Sequence, residues 1–223
     1  MADKLRRHSV ATEAYLIKDD QARAEAEARN GLLQYDYALR MIMDAIEKGS
    51  AWKLRTSALL ALHREALQGI SSYAGNFRPA AVMIEGSNHK PVDAHRVPEL
   101  IEELCDYVNE NWENKTAIHL ASYVMWRLNW IHPFSDGNGR TSRMVSYVVL
   151  CVKLGLAPPG HNTIPEQIVD NRIPYFDALE AADKSTKDGP HDLSQMEELI
   201  ESMLAKQLAS VMETATGKQF LPR

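Results

Sequence analysis

The chain has 223 residues, of which 45% are hydrophobic, and it carries a formal net charge of −5 with a pI near 5.9. This length and apolar content predict one domain with a sizeable core, and the acidic balance argues against a nucleic-acid partner. No apolar run reaches the roughly 18 residues that a membrane span needs, and no apolar signal core follows the N-terminus. We therefore expect a cytoplasmic protein that does not contact a membrane.

The predicted elements are almost all helical, because apolar residues recur at steps of three and four along most of the chain. Helix start signals support two of them, with Asp19 as a cap and Thr163 followed by Pro165 in a first turn. Cys105 and Cys151 lie within apolar helical patterns and are expected to be reduced thiols in the core. The predicted helices span a short segment at 3–15 and longer segments at 20–48, 52–70, 94–112, 115–131, 140–154, 165–183 and 192–213.

One run is β-like rather than helical: Val82-Met83-Ile84, which the turn residues Gly86-Ser87-Asn88 follow. This pattern predicts a small β-hairpin. The expected fold class is therefore all-α, a bundle of about eight helices with one hairpin. We divide the chain into N-terminal helices (1–48), a core (49–213) and a frayed tail (214–223).

A polar loop between two apolar helical segments carries the residues with chemical potential, His132-Pro133-Phe134-Ser135-Asp136-Gly137-Asn138-Gly139-Arg140-Thr141-Ser142-Arg143. A residue before proline is pushed out of the helical region, so His132 should stand just after a helix C-terminus with its imidazole displayed. A histidine with a pKa near neutrality suits a general base.

The rest of the loop suits an anion. The sequence Gly137-Asn138-Gly139 tolerates the restricted backbone angles of an anion-binding nest at the start of the next helix. Arg140 and Arg143 oppose the dipole of that helix, and a bound anion would remove the conflict. Asp136 is a hard oxygen ligand that suits Mg²⁺ bridging phosphate oxygens.

The run from His132 to Arg143 resembles the full Fic-family motif, His-Pro-Phe-x-(Asp/Glu)-Gly-Asn-(Gly/Lys)-Arg-x-x-Arg, and no specified position departs from it. The outline from about 50 to 205 also resembles the Fic fold, in which a β-hairpin flap precedes the motif. The resemblance implies transfer of AMP from ATP, with Mg²⁺, to a Ser, Thr or Tyr hydroxyl of a target protein. The glycine at position 139 makes the motif resemble that of the adenylyltransferase branch, since the family member that acts as a kinase carries lysine at this position.

The resemblance also assigns roles within the motif. His132 is the expected general base and Asp136 the expected metal ligand. Phe134 is expected to turn inward as a structural anchor. The backbone of Gly137, Asn138 and Gly139 and the Asn138 amide are expected to stabilise charge on the phosphates, and Arg140 and Arg143 to hold the β- and γ-phosphates.

Two further segments match the family. Val82, Met83 and Ile84 correspond to the flap, which binds an extended target segment by strand addition. Asn171 and Tyr175 belong to an Asn-Arg-x-x-Tyr segment that borders the adenosine pocket in relatives, and their spacing of four places them on one helix face. Val82, Met83 and Ile84 would also suit a hairpin that packs on the bundle. Asn171 would also suit a buried polar cap, and Tyr175 an aromatic residue of the core.

Ser9 and Glu13 match the inhibitory helix of many Fic proteins, Ser/Thr-x-x-x-Glu followed by Gly or Asn, although Ala14 departs from it. By this resemblance Glu13 would pair with Arg143 and block ATP, although a Ser and a Glu four apart also occur by chance. Three readings of function stay open: adenylyl transfer, de-AMPylation or another group transfer at the same site, and a nucleotide-binding regulatory module. Assembly into homo-oligomers is open as well.

Overall fold

The computed structural model describes residues 9–10, 15–185 and 191–216, and within these ranges the chain is a bundle of eight α-helices with a two-stranded sheet. None of the helices in the described part is long and apolar enough to cross a membrane. The elements are β1 (Ser9–Val10), α1 (Asp20–Lys48), α2 (Thr56–Leu67), β2 (Met83–Ile84), α3 (Val97–Glu110), α4 (Ala117–Ile131), α5 (Asn138–Leu154), α6 (Ile164–Asp170), α7 (Ile173–Ser185) and α8 (Ser194–Thr216).

The packed pair α4 and α5 forms the centre of the bundle. Both helices are apolar on most of their circumference, and their mutual contact is the most extensive in the molecule. Helices α3, α7 and α8 pack on α4, while α1, α2 and α6 pack on α5. The short loop that joins α4 to α5 carries the motif, so the polar loop is surrounded by core.

Several local predictions are confirmed. Asp19 caps α1, its Oδ1 accepting a hydrogen bond of 2.7 Å from the N–H of Ala22. Thr163 and Glu166 form a reciprocal capping box at the start of α6. Cys105 and Cys151 are both buried free thiols, and burial raises their pKa values to about 11 and about 12.

The predicted helix over 165–183 is wrong in one respect, because it is two helices. Helix α6 ends at Asp170, and Asn171 adopts an extended backbone with φ −138° and ψ 96° before α7 begins at Ile173. Pro174 lies in the first turn of α7, where its missing N–H costs nothing, whereas inside one long helix it would break the hydrogen-bond ladder. At the other end, α8 extends to Thr216, three residues into the segment predicted to be frayed.

The helix predicted over 3–15 is wrong at Ser9–Val10, while its residues 3–8 and 11–14 lie outside the described ranges. The hairpin predicted after Val82 is also wrong. Ser9–Val10 is a strand, and it pairs antiparallel with Met83–Ile84 in the register Ser9 to Ile84 and Val10 to Met83. The chain after β2 turns at Ser87 and is held on α4 by His89, whose Nε2 lies 2.8 Å from the Trp130 carbonyl oxygen. The edge of β2 thus pairs with β1, which is distant in sequence, and local periodicity does not predict such long-range pairing.

Helix α1 is part of the same core as the helices that follow it. Ala38, Ile42 and Ala45 are buried in the apolar cluster that also contains residues of α2 to α8. Two polar side chains of α1, Asn30 and Gln34, are buried as well and donate to carbonyl oxygens of Gln68 (2.9 Å) and Leu62 (3.0 Å). These contacts bind α1 along the length of α2.

Because Ile42 is fully buried in that shared cluster, Ile42→Ala should lower the free energy of unfolding by about 2–5 kcal/mol. We expect one cooperative thermal transition at a lower midpoint, measured by circular dichroism. Met43→Ala is the matched control, since Met43 is 60% exposed and should leave the midpoint nearly unchanged. A separate early transition in the Ile42→Ala variant would contradict a common core.

Candidate active site

His132 lies at the centre of the loop, as the C-cap of α4, in the left-handed conformation with φ 54° and ψ 60°. The sequence predicted a displayed imidazole with a pKa near neutrality, and the structure corrects both points. The residue is only 7% exposed, and burial lowers the pKa of the imidazole to about 4. The ring is therefore neutral at neutral pH, the protonation state that a base requires.

The orientation of the imidazole follows from one contact. The Nδ1 atom lies 3.3 Å from the Asn129 carbonyl oxygen, an acceptor, so the proton belongs on Nδ1. The lone pair of the neutral ring is then on Nε2. The geometry assigns Nε2 as the basic nitrogen.

Asp136 and Arg140 are joined in the structure. Oδ1 of Asp136 accepts a hydrogen bond of 2.6 Å from the N–H of Gly137, and Oδ2 accepts one of 3.2 Å from Nη2 of Arg140. The other side of the same guanidinium faces helix α1, where Oε2 of Glu27 lies 3.5 Å from Nη1. Arg140 is thus held between two carboxylates, and an incoming phosphate would compete with both.

Gly137 is the N-cap of α5 and has φ 75°. A Cβ at this position would lie 2.7 Å from Cδ2 of Leu67, so both the backbone angle and the available space require glycine. The tight turn brings the first amide groups of α5 to the floor of the site, the place where a helix N-terminus attracts anions.

Phe134 is buried, with 1% exposure, and its ring stacks on the imidazole of His63 at a centroid distance of 3.7 Å and an angle of 5°. His63 also bonds at both nitrogens. Its Nδ1 accepts from the N–H of Gly75 (2.9 Å), so its Nε2 donates to the Asp136 carbonyl oxygen (3.0 Å). Burial lowers the pKa of His63 to about 4, which keeps this arrangement neutral.

The Asn138 amide requires a correction. The sequence assigned it to the nucleotide, but its Oδ1 accepts from the N–H of Phe134 (2.9 Å) and its Nδ2 donates to the Phe134 carbonyl oxygen (2.7 Å). The side chain is 4% exposed. A buried loop must satisfy its own backbone polar groups, and the Asn138 amide does so for Phe134.

Arg143 lies one helical turn further along α5 than Arg140 and is partly buried. Burial lowers the pKa of its guanidinium to about 10, with Arg172 and Arg140 acting in the same direction, so the group stays charged at neutral pH. Gly139 leaves space for this guanidinium, since a Cβ there would lie 3.2 Å from Nη1 of Arg143. A larger residue at position 139 would press on the arginine.

A cavity of about 980 Å³ unites these groups, a size typical of a ligand site. It is bounded by α1, the loop, the start of α5, the residues after β2 and helices α6 and α7. Among the predicted site residues it is lined by Ile84, His132, Asp136, Gly137, Asn138, Gly139, Arg140, Arg143 and Tyr175.

Of the residues predicted for the flap and the nucleoside pocket, Val82, Met83 and Asn171 lie outside the cavity lining. Of the predicted flap, only Ile84 lines the cavity, while Met83 is 70% exposed and Val82 is buried. Tyr175 is 2% exposed and its hydroxyl accepts from Nδ2 of Asn129 at 2.8 Å. Asn171 does not share a helix face with Tyr175, because α6 ends before Asn171 and Tyr175 belongs to α7. The side chain of Asn171 is exposed.

The predicted inhibitory segment is only partly visible. Glu13 lies outside the described residues, and Ser9 belongs to β1, whose backbone pairs with Ile84. An inhibitory role for either residue stays a prediction. The carboxylate that the structure does place against a motif arginine is Glu27 of α1, on Arg140.

Sequence reasoning missed several residues that build the site, namely Glu27, His63, Arg78 and Asn129. Glu27 is one of many charged residues in the segment 20–48, and such residues are typical of a solvated helix face. His63 is a lone histidine within an apolar helix pattern, which was a usable signal for a buried contact. Nothing local distinguished Arg78 or Asn129, since their partners lie far along the chain or in the next helix.

Metal binding would depend on Asp136. The described residues contain no group of three or more His, Cys, Asp or Glu side chains that could hold an ion. Mg²⁺ is commonly held by one or two carboxylates together with phosphates and water. The carboxylate of Asp136 would suit a magnesium ion held in this way.

Residues 53–150 match the model of the Fic/DOC family. Through this region the chain is similar to that family. Among solved structures, Fic-1 from C. elegans aligns with a TM-score of 0.67 at 21% identity, covering 91% of this chain and 55% of that one. A Fic domain containing signaling protein from Bacteroides thetaiotaomicron aligns with a TM-score of 0.64 at 20% identity, covering 87% and 76%. These alignments show the same fold.

Relatives with a named activity are also similar. Protein adenylyltransferase fic-1 of Caenorhabditis elegans is 26% identical over 188 residues, which covers 78% of this chain and 35% of that protein. Protein adenylyltransferase Fic of Drosophila persimilis is 28% identical over 192 residues, covering 79% and 35%. The chain spans about a third of the length of these relatives.

The low pKa of His132 predicts how acid affects stability. Between pH 6.5 and about 4 the unfolded chain binds a proton at His132 that the folded chain excludes, so stability is full above pH 6.5 and falls as the pH drops. His132→Gln should remove this contribution, which amounts to roughly 3 kcal/mol at about 1.4 kcal/mol per pKa unit. Denaturant unfolding at pH 7.5 and 4.5 measures it.

His95→Gln is the control, because His95 is exposed in a turn before α3. This variant should lose as much stability on acidification as the wild type does. An equal loss in the His132→Gln variant would contradict the buried neutral imidazole.

Proposed function

We propose that this domain transfers AMP from ATP to a hydroxyl of a target protein. The observation that carries the proposal is that the same cavity is lined by the neutral, buried His132, by the carboxylate of Asp136 and by Arg140 and Arg143 at the start of α5. The adenylyltransferase relatives support the same reaction class.

In this mechanism His132 is the general base. Its Nε2 takes the proton of the target hydroxyl as the hydroxyl oxygen attacks the α-phosphorus of ATP. A P–O bond to the target forms, the bond to the β-phosphate oxygen breaks, and pyrophosphate leaves with that electron pair. Such proton removal contributes about 10²–10⁴-fold to a rate.

The phosphates would lie on the start of α5. Arg140 and Arg143 are the cations of the cavity floor, and the amide groups after Gly137 add the positive end of the helix dipole. Asp136 would hold a Mg²⁺ ion, which would supply positive charge to neutralise the phosphates. Arg140 would release Glu27 and Asp136 as it turns to the phosphates, so these two ion pairs orient the cation before a nucleotide binds.

The target would approach along β2. Ile84 lines the cavity, and β2 is an extended segment whose backbone can pair with another strand. In this structure β1 takes that pairing, so an extended target segment would replace Ser9–Val10 on Met83–Ile84. Asn171 and Tyr175 are proposed to border the nucleoside, Tyr175 from the cavity wall.

The reaction predicts which phosphate of ATP reaches protein. With Mg²⁺ and a cell lysate as the source of targets, label from α-phosphate ATP should appear on protein hydroxyls and label from γ-phosphate ATP should not. Phosphoamino-acid analysis after gel separation measures the transfer. Labelling from the γ position alone would replace adenylyl transfer with a kinase reaction.

The division of roles predicts different defects for two variants. His132→Ala should lower the transfer rate by about 10²–10⁴-fold and leave ATP affinity nearly unchanged, because the imidazole does not hold phosphate. Arg143→Ala should instead weaken ATP binding, since it removes a buried cation from the cavity. Isothermal calorimetry and initial rates separate the two effects. Equal losses of affinity in both variants would show that the roles are wrongly assigned.

A further inference from the structure

Arg78 is a buried arginine that neither lines the cavity nor forms an ion pair within the described ranges. It is 3% exposed and lies five residues before β2. Burial lowers the pKa of its guanidinium, which Asp93 only partly opposes. A buried charge is costly unless its donors are satisfied, so the partners of Arg78 show what it contributes.

All of those partners are carbonyl oxygens. The Nε atom donates to the His132 carbonyl oxygen at 2.8 Å, Nη1 donates to that of Ala80 at 2.9 Å, and Nη2 donates to that of Val92. The backbone N–H of Arg78 donates to the carbonyl oxygen of Pro133 at 2.9 Å. One residue thus bonds the peptides on both sides of Pro133, the first of which begins at His132, and both ends of the segment 80–92, which contains β2.

The His132 end of this contact is unusual. A non-glycine residue in the left-handed conformation persists only where its surroundings hold it there. The Nε bond holds the carbonyl of that residue, and the Arg78 N–H holds the next carbonyl. The position of the imidazole therefore depends on Arg78, although Arg78 does not touch the ring.

The geometry also explains why this residue is arginine. A guanidinium presents its donors in a rigid planar fork, so it can address three separate carbonyl groups at once. The ammonium of lysine is a compact donor on a flexible stem and cannot reproduce that fork. Both ends of the 80–92 segment and the loop would then lose their common partner.

We propose that Arg78 is a positioning residue that couples the 80–92 segment to His132, so that a target bound along β2 meets the imidazole at a fixed distance. This inference rests on the proposed adenylyl transfer. It assigns to Arg78 the alignment of the target segment on β2 with the imidazole of His132. Misplacement of two reacting groups can lower a rate by about 10²-fold.

The test compares Arg78→Lys and Arg78→Gln with the control Arg96→Lys, whose arginine is half exposed and pairs only loosely with Glu99 at 3.9 Å. Both Arg78 variants should lose about 10²-fold in kcat at saturating ATP and target. Their dissociation constant for ATP should stay within about twofold of the wild type, because Arg78 does not line the cavity. The Arg96→Lys variant should match the wild type in both.

Hydrogen exchange gives a readout that does not require activity. In both Arg78 variants the amides of residues 80–92 and of the loop after His132 should exchange faster, while those of α3 and α8 keep their protection. If the wild type transfers no AMP, the proposed reaction fails, and the exchange pattern still decides whether Arg78 couples the two segments.

The proposal would be overturned by a kcat within about twofold of the wild type in folded variants, by a loss of protection spread evenly over the whole bundle, or by failure of both variants to fold. The last two would make Arg78 a general stabilising residue. An unchanged exchange rate in 80–92 would equally rule out the coupling.

Discussion

The site depends on one constraint, which is that a polar loop buried between two core helices must satisfy its own backbone. Carbonyl groups of this loop are bonded by Arg78 and His63, which come from elsewhere in the chain, and by Asn138 at the start of α5. Arg78 bonds the peptides at His132 and Pro133, Asn138 bonds both polar groups of Phe134, and His63 bonds the carbonyl of Asp136. Unpaired buried carbonyl groups would cost free energy comparable to lost hydrogen bonds, so these supports are a condition for the loop to exist.

The same burial sets the electrostatics of the site. Desolvation keeps His132 neutral and lowers the pKa of Arg143, which nevertheless stays charged. Arg140, nearer the surface, is held by Asp136 and by Glu27 from α1. Arg143 is thus partly buried and Arg140 lies between two carboxylates, and under the proposed function the phosphates of ATP would offer oxygen acceptors to both cations.

The two ends of the chain segment that carries β2 show how the fold links the site to a partner surface. The strand edge is an extended backbone that accepts pairing, and the chain's own Ser9–Val10 takes it in this structure. Arg78 fastens the ends of the segment 80–92 at Ala80 and Val92 to the loop beside His132. The surface that pairs with a strand is therefore attached to the residue that would act on it.

Local patterns in the sequence were sufficient for the helical class, the caps at Asp19 and Thr163 and the motif loop between two apolar helices. Each of these depends on residues within a few positions of one another, so spacing alone identifies them. Local patterns also predicted about eight helices. This number agrees with the described structure only because two errors in the predicted helices cancel. The helix expected over 3–15 is a strand at Ser9–Val10, and the one expected over 165–183 is two helices.

Only the tertiary structure decided which distant groups meet. It brought Glu27 into an ion pair with Arg140, stacked His63 on Phe134 and bonded Arg78 to the His132 carbonyl. It also paired β2 with β1 rather than with a hairpin partner. It also used the Asn138 amide within the loop and moved Asn171 off the face of Tyr175. The reason is physical: burial and long-range hydrogen bonds depend on how helices pack, and packing is not encoded in the spacing of any one segment.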